Sequence, residues 1–383
     1  MKRTGQILIV LGLLLLAQAA RADWTPVKRL TWNSGGSWAS AIGVYPPANV
    51  YVVWIDSTPN PLGEVMLKKS TDGGASWAPN KRLTWTPGSS YPASMAINAY
   101  GYIYIAWYDD TPGNPEIYFK KSTDGGSSWS ANQRLTWSEE DSYNTDIAAD
   151  SFGHLHIVWY ESLFQPEVYY KKSTDAGASW LTRRRLTWTG GTSSHPDIAV
   201  DYLGQLHLVW KGEATGNEQI YYKKSTDNGG TWTTNKRLTW TSGDCWYPAM
   251  TVTSSGDIHV VWDDDTPGNK EIYYRKSTDG GDTWTASKRI TWTPGASLSA
   301  AIAIDPTGYL HVVWYEDVSG NKEIYYSQST DGGVSWSPGQ RLTWNSGSST
   351  FPAISANTSG NVHVVWSDYT PVNVEVYYKK YAN

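Results

Sequence analysis

Two sets of carboxylates recur at fixed offsets along this chain. An acid stands two residues after a Val-Val-Trp-like run at Asp56, Asp109, Glu161, Asp264, Glu316 and Asp368, and Gly212-Glu213 takes that place in the remaining copy. Glu64, Glu116, Glu167, Gln219, Glu271, Glu323 and Glu375 open the next apolar run. Carboxyl pairs about 5–9 Å apart can cleave glycosidic bonds. A catalytic pair is needed once, however, and these recur in every copy. That favours loop capping and strand-end hydrogen bonding, with a ring of repeated, shallow ligand sites as the alternative. Asp263-Asp264-Asp265 is the densest acidic run and has the chemistry to hold a cation, but a solvated turn is the preferred reading. No metal or cofactor is expected. His156, His207, His259, His311 and His363 replace Tyr51 and Tyr104 at one position of separate copies, so they cannot share a metal and read as packing residues. Cys245 is the single cysteine, which excludes an internal disulfide, and it is read as a small buried hydrophobe. Cys245 and His195 belong to different copies, so neither a Cys-His nor a Ser-His-Asp set is supported.

The copies themselves follow from a tetrapeptide. Arg-Leu-Thr-Trp starts at 29, 82, 134, 185, 237 and 341, and Arg-Ile-Thr-Trp at 289, with successive copies 51 to 53 residues apart. That period suits one four-stranded sheet per unit. In the unit from Tyr247, strand a is Pro248 to Val252 and strand b is Asp257 to Trp262. Strand c is Glu271 to Lys276, and strand d is Lys288 to Thr291. The runs are short, β-branched or aromatic, and bounded by Gly, Pro, Asp or Ser, with no helical periodicity. They are apolar on both faces, so each sheet must be covered on both sides. Sheets packed face to face around an axis meet that need, which predicts an all-β, seven-bladed β-propeller. The segment after Asp23 matches the end of a hairpin plus strand d, and the chain stops after a strand c at Glu375 to Lys380. Pairing the two removes both open edges and closes the ring.

The c–d hairpin reads Ser-x-Asp-x-Gly-x-Ser/Thr-Trp six times, with Asp72, Asp124, Asp175, Asp227, Asp279 and Asp331. A short Asp side chain can accept N–H bonds inside its own turn, and Gly takes the left-handed position. At these residues the chain resembles the Asp-box, or bacterial neuraminidase repeat, family of the sialidase-like propeller superfamily. The six boxes and a half box at Trp24 cover nearly all of residues 23–383, expected to be a single domain. The resemblance implies that the boxes are structural turns on the face opposite the usual site. It also raises sialidase activity, in which an arginine triad holds the substrate carboxylate beside a Tyr–Glu nucleophile pair and an Asp acid. The first of those arginines sits in an Arg-Ile-Pro-type motif. The comparable positions here are Tyr91-Pro92, His195-Pro196, Tyr247-Pro248 and Phe351-Pro352. Seven arginines belong to the repeated tetrapeptide, one per blade, and Arg183, Arg184 and Arg275 lie near c–d hairpins. No triad can be assigned.

The 23 tryptophans sort into three sets of seven, plus Trp38 and Trp246. Residues repeated in every unit are read as packing, and the two extras as candidates for function. Both are placed in d–a loops, which share a face with the b–c loops. The ligand-binding candidates on that face are Trp38, Tyr91, His195, Trp246, Tyr247, Asp109, Asp264 and Glu316. Tyr143 and Phe351 lie beside them. Aromatics next to carboxylates suit sugar rings and also protein contacts.

The first 22 residues read as a secretory signal peptide: Lys2 and Arg3, an apolar run from Ile7 to Leu16, then Ala20-Arg21-Ala22. Its removal takes the 31 basic residues to 28 against 36 acidic ones, a mildly acidic protein with no nucleic-acid footprint. No later run is long enough to span a membrane. The sequence therefore predicts a secreted or cell-envelope, monomeric binding module, most plausibly for carbohydrate. A protein-interaction scaffold for an extracellular partner and a sialidase-like glycoside hydrolase with a diverged site are the alternatives.

Overall fold

In the computed structural model, residues 23–58, 62–162, 164–188, 190–213, 216–318, 320–370 and 372–382 are described; the signal-peptide reading at 1–22 lies outside them. All regular structure in these residues is β. Seven antiparallel sheets succeed one another, with inner strands beginning at Ser37, Ser94, Ser142, Ser193, Cys245, Ala296 and Ser349 in blades 1 to 7. Blade 1 shows the plan: strand a Ser37–Tyr45, b Asn49–Asp56, c Glu64–Ser70 and d Lys81–Arg82. Each strand a packs beside the next, and the seventh returns to the first. Strand direction alternates within a blade. The d–a and b–c loops therefore share one end of the ring, here called the mouth face, and the a–b turns and c–d hairpins share the other, the box face.

Closure is as expected. Asp23–Trp24 and Lys28–Arg29 pair with Glu375–Ala382, so the N-terminal segment is the outer strand of blade 7. Seven cores lie between the sheets, each built from both neighbours. The strand-b tryptophans Trp54, Trp107, Trp159, Trp210, Trp262, Trp314 and Trp366 are all buried. Burying a large apolar side chain contributes about 1.5–3 kcal/mol.

The repeated tetrapeptide joins outer strands to sheets. Arg29 pairs with Glu375 at 2.7 Å, and the same Arg–Glu pair recurs in five other blades. Thr31 Oγ1 donates to Glu375, and the Val376 N–H donates to Thr31 Oγ1. Leu30 is buried in the core. The tryptophan departs from the packing expectation. Trp32, Trp85, Trp137, Trp188, Trp240, Trp292 and Trp344 are each 66% to 68% exposed. Each lies under the guanidinium of its own motif, 5.4 to 5.9 Å from the ring centre. The ring stays outside because strand d is only two residues long and the chain turns away after Thr.

The Asp boxes are turns, as expected. Ser225 Oγ donates to Asp227, and the Thr231 N–H and hydroxyl donate to the same carboxylate. Trp180 of the hairpin set packs edge-on against Phe119 of the preceding blade, and five others of the set pack the same way on a tyrosine, as Trp284 does on Tyr222 at 5.1 Å. Gly281, at φ +90°, sits so close to that tyrosine that a Cβ would lie 2.0 Å from its hydroxyl. The strand-b histidines are packing residues, each bonded through Nδ1 to a strand-c tyrosine hydroxyl at 2.7 to 2.8 Å. Cys245 is buried and stands where other blades carry Ser37, Ser90, Ser142, Ser193, Ser297 and Ser349. Burial beside Asp264 pushes its thiol up to about 12.

Candidate functional site

The seven blades are near copies, so the positions where they differ stand out. Two such stretches lie at the mouth face. One is the residue between the strand-b Trp and the acid after it: Ile55, Tyr108, Tyr160, Lys211, Asp263, Tyr315 and Ser367. The other is the start of strand a. Following the Ser or Cys there, the chain reads Trp38-Ala39, Tyr91-Pro92, Tyr143-Asn144, Ser194-His195, Trp246-Tyr247, Leu298-Ser299 and Thr350-Phe351.

A β-bulge shapes this second stretch. Register shifts interrupt strand a of blades 3 to 7 between Tyr143 and Asp146, Ser194 and Asp197, Trp246 and Ala249, Leu298 and Ala301, and Thr350 and Ala353. In each bulge one non-glycine residue takes a left-handed backbone: Asn144 (φ 45°), His195 (51°), Tyr247 (47°), Ser299 (52°) and Phe351 (51°). Such a conformation costs of order 1–3 kcal/mol and collects at functional sites, and a bulge re-aims a side chain. Blade 2 carries Pro92 there, which cannot adopt positive φ. Its regular strand accordingly begins only at Ser94, after an isolated bridge between Ser90 and Asp109.

The re-aimed residues meet the strand-b residues in a belt of rings. Tyr91 stacks on Tyr108 at 4.7 Å, Tyr108 meets Tyr143 at 5.3 Å, and Tyr143 meets Tyr160 at 5.8 Å. Tyr160 lies 5.9 Å from His195, which meets Tyr247 edge-on at 5.1 Å. On the far side Tyr315 meets Phe351 at 5.9 Å, and a cavity of about 320 Å³ opens among Tyr315, Lys322, Thr350, Phe351 and Tyr369. Tyr247 is 40% exposed and Phe351 51%.

Three aspartates lie within this belt. Asp146 accepts the Ile198 N–H of the next blade at 2.9 Å, and Asp197 accepts the Met250 N–H at 3.4 Å. Burial pushes Asp146 up to about 6, and burial plus the charge of Asp146 raises Asp197. Asp263 has no exposed surface and accepts the Ser299 N–H through both oxygens. Burial outweighs those bonds and pushes it up to about 8. His195 is pushed down to about 4 by burial and then by Lys211, so its imidazole is neutral at pH 7. Lys211 is paired with Glu218. At neutral pH His195 and most of Asp263 are therefore uncharged, whereas Asp146, at about 6, is largely ionised, and the belt is rich in hydroxyl, imidazole and carboxyl groups that exchange hydrogen bonds with hydroxyls.

The sequence candidates fall into three groups. Tyr91, His195 and Tyr247 are in the belt. Trp38 and Trp246 are beside it, on strand a rather than in loops, paired with Ile55 and Asp263. The Trp38 ring lies against Gly36, and Lys270 Nζ sits 3.4 Å from the Trp246 ring centre, so that stacking face is already taken. Asp109 and Asp264 are wholly buried. Asp109 accepts Ser90 Oγ and the Thr111 N–H, and Asp264 accepts the Thr266 N–H, so they cap loops and are enclosed away from any ligand. Glu316 is also buried and lines a different cavity, between blades 5 and 6. Tyr108, Asp146, Tyr160 and Asp197 are not among the sequence candidates; Tyr143 is placed on the same face beside them, and Asp263 is read only as part of an acidic turn. The signal for them was present as variation among repeats, but which varied positions share one end of the ring depends on the bulges. Among the described residues no cluster of three metal-ligating side chains occurs. The motif arginines stay on their own blades' rims. Arg183 pairs with Glu161, and Arg184 and Arg275 bond backbone carbonyls, so no three arginines converge.

This fold and its boxes define a sialidase-like propeller. The family model for the BNR repeat-like domain matches residues 109–364, and the chain belongs to that family. No curated protein matches it. Among solved structures it is similar to a polysaccharide lyase, an ulvan lyase bound to a GlcA–Rha3S oligosaccharide. That likeness has 11% identity, 91% of this chain and 95% of the other covered, and a TM-score of 0.65. The α-L-arabinanase of Penicillium chrysogenum complexed with arabinobiose is 14% identical over 76% of this chain and 92% of its own, with a TM-score of 0.54. A Hadza microbial sialidase is 13% identical over 87% and 76%, with a TM-score of 0.52. At such identities the likeness is one of fold.

Proposed function

We propose that the protein is a secreted, carbohydrate-active propeller that recognises a glycan at its mouth face. The observation that carries this is the belt itself: a largely repeated chain varies in every blade at the mouth face, and left-handed backbones hold side chains there. Aromatic rings offer stacking faces to sugar C–H surfaces. The neutral His195 and the partly exposed carboxyl groups of Asp146 and Asp197 exchange hydrogen bonds with hydroxyls. The similar structures that act on polysaccharides, arabinan and sialosides support the ligand class. Calorimetric titration of glycans selected on an array tests the reading. Tyr247→Ala should weaken binding about tenfold, the effect of losing one aromatic anchor, with melting unchanged. Equal affinity in the variant would remove Tyr247 from the site.

A second reading, chemistry on the bound glycan, rests on His195. A neutral imidazole between Tyr160 and Tyr247 is an acid–base set with its base form ready at pH 7. Release of reducing ends or unsaturated products from the same glycans, abolished in His195→Ala, would support it. Binding without turnover would leave recognition alone.

A further inference from the structure

Six of the seven interblade clefts at the rim are crossed by a cation from the fifth residue of strand c, counted from its opening Glu or Gln. Lys68, Lys120, Lys171, Lys223, Arg275 and Lys379 each donate to the carbonyl of the motif Leu on the preceding blade: Leu30, Leu83, Leu135, Leu186, Leu238 and Leu342. Four of them also lie 5.5 to 5.8 Å from the exposed motif tryptophan of that blade. Burial lowers the pKa of all six. Blade 6 breaks the series. Ser327 stands at this position and donates to Ser337 O on its own blade, so no side chain reaches the Ile290 carbonyl. Ile290 belongs to the one tetrapeptide that is not Arg-Leu-Thr-Trp.

A second substitution acts on the same cleft. Blade 3 carries Arg183 on its c–d hairpin, paired with Glu161. Only blade 3 has an arginine at this position; the other blades carry Val27, Asn80, Asn132, Asn235 and Ser287, and blade 6 alone carries glycine, Gly339, where a Cβ would lie 3.2 Å from the Trp314 ring beside Glu316, the counterpart of Glu161. Glu316 is 4% exposed and accepts the Trp314 Nε1–H at 3.4 Å. Burial raises its pKa. A cavity of about 510 Å³ results, running from Trp292 past Trp336 to Trp314, Tyr325 and Glu316. The cleft between blades 7 and 1 is smaller, about 420 Å³, and is lined by Lys68 and Trp77.

We propose that the cleft between blades 5 and 6 binds an organic cation, an alkylammonium or guanidinium group, in the place that Lys or Arg fills in the other six. The Ile290 carbonyl and the Trp292 face are the same kinds of partner that the internal cations use, and cations over aromatic faces are attracted by the ring quadrupole; Glu316 adds a carboxyl group, set against Lys288 and Arg289, which also line the cleft. The site is separate from the mouth-face belt and does not depend on its ligand. The cation could be carried by an amino sugar or by a simple amine, and both present the same group.

The test is tryptophan fluorescence and calorimetry of the full chain with n-butylammonium chloride and D-glucosamine, using N-acetyl-D-glucosamine and sodium chloride as controls. At least one ammonium probe should bind while the neutral sugar does not. Tighter binding of glucosamine would assign the cation to a sugar, and equal or tighter binding of butylammonium to an amine. Ser327→Lys restores the series and should fold, since five of the blades carry lysine at this position already. It should weaken the probe about tenfold or more and raise the melting temperature. Glu316→Gln should weaken the probe as well. Failure of both ammonium probes to bind, equal binding of the neutral sugar, or unchanged affinity in Ser327→Lys would overturn the proposal.

Discussion

Asp263 shows how much one buried residue contributes to the molecule's response to pH. An Asp in an unfolded chain titrates near 3.9, whereas here burial pushes it up to about 8. The folded state keeps a proton that the unfolded state has lost. The stabilisation is complete below the unfolded value and is lost as pH rises through about 8. Asp263→Asn keeps an acceptor for Ser299 without the ionisation, so its melting temperature should fall less than wild type's between pH 6 and 9. A parallel fall in both would show that Asp263 is already ionised. The buried histidines act in the opposite sense. His259 is pushed down to about 4 and His363 to about 3, largely by burial. Their stabilisation is complete above the ordinary histidine value near 6.5 and is lost as pH falls toward those values. Their packing role was legible in the sequence because they alternate with Tyr51 and Tyr104. The role of Asp263 was not, because as the first of three acids it reads as a solvated turn. The bonds to Ser299 that turn it inward come from a neighbouring blade.

At the scale of the element, the c–d hairpin and the strand-a bulge divide the work. The box is local and was readable from spacing alone, since every partner of Asp227 lies within four residues. Asp227→Ala removes turn hydrogen bonds worth roughly 0.5–1.5 kcal/mol each, toward the low end because the box is exposed. Thermal or denaturant melting should report that loss while glycan affinity stays constant. Gly281→Ala should cost more, several kcal/mol by the usual penalty for overpacking and a forced left-handed backbone. If its melting temperature matched that of wild type, the close approach to Tyr222 would be refuted. The bulge, by contrast, has no sequence signature of its own. Asn, His, Tyr, Ser and Phe share no preference that marks a left-handed position, and Trp38 and Trp246 looked like loop residues because strand a starts earlier than its apolar run. The exposed motif tryptophans differ from expectation for a related reason: repetition in every unit points to packing, but it also preserves an Arg–Trp stack at a rim.

The whole molecule is a ring whose stability rests on closing it. Residues 23–32 supply the outer strand of blade 7, the Arg29–Glu375 pair and the Leu30 core contact. A chain starting at Asn33 would leave a strand edge open and should melt many degrees lower or aggregate; unchanged melting would refute the closure. Within that ring, largely repeated rims surround a mouth whose residues differ from blade to blade, and the central claim is that glycan recognition takes place at the mouth. Hydrogen–deuterium exchange with and without a saturating array-selected glycan tests this most directly. The account predicts slowed exchange in segments 142–147, 193–198 and 245–250, with the outer hairpins unaffected. Protection spread evenly over the six outer hairpins, with the mouth unchanged, would contradict it.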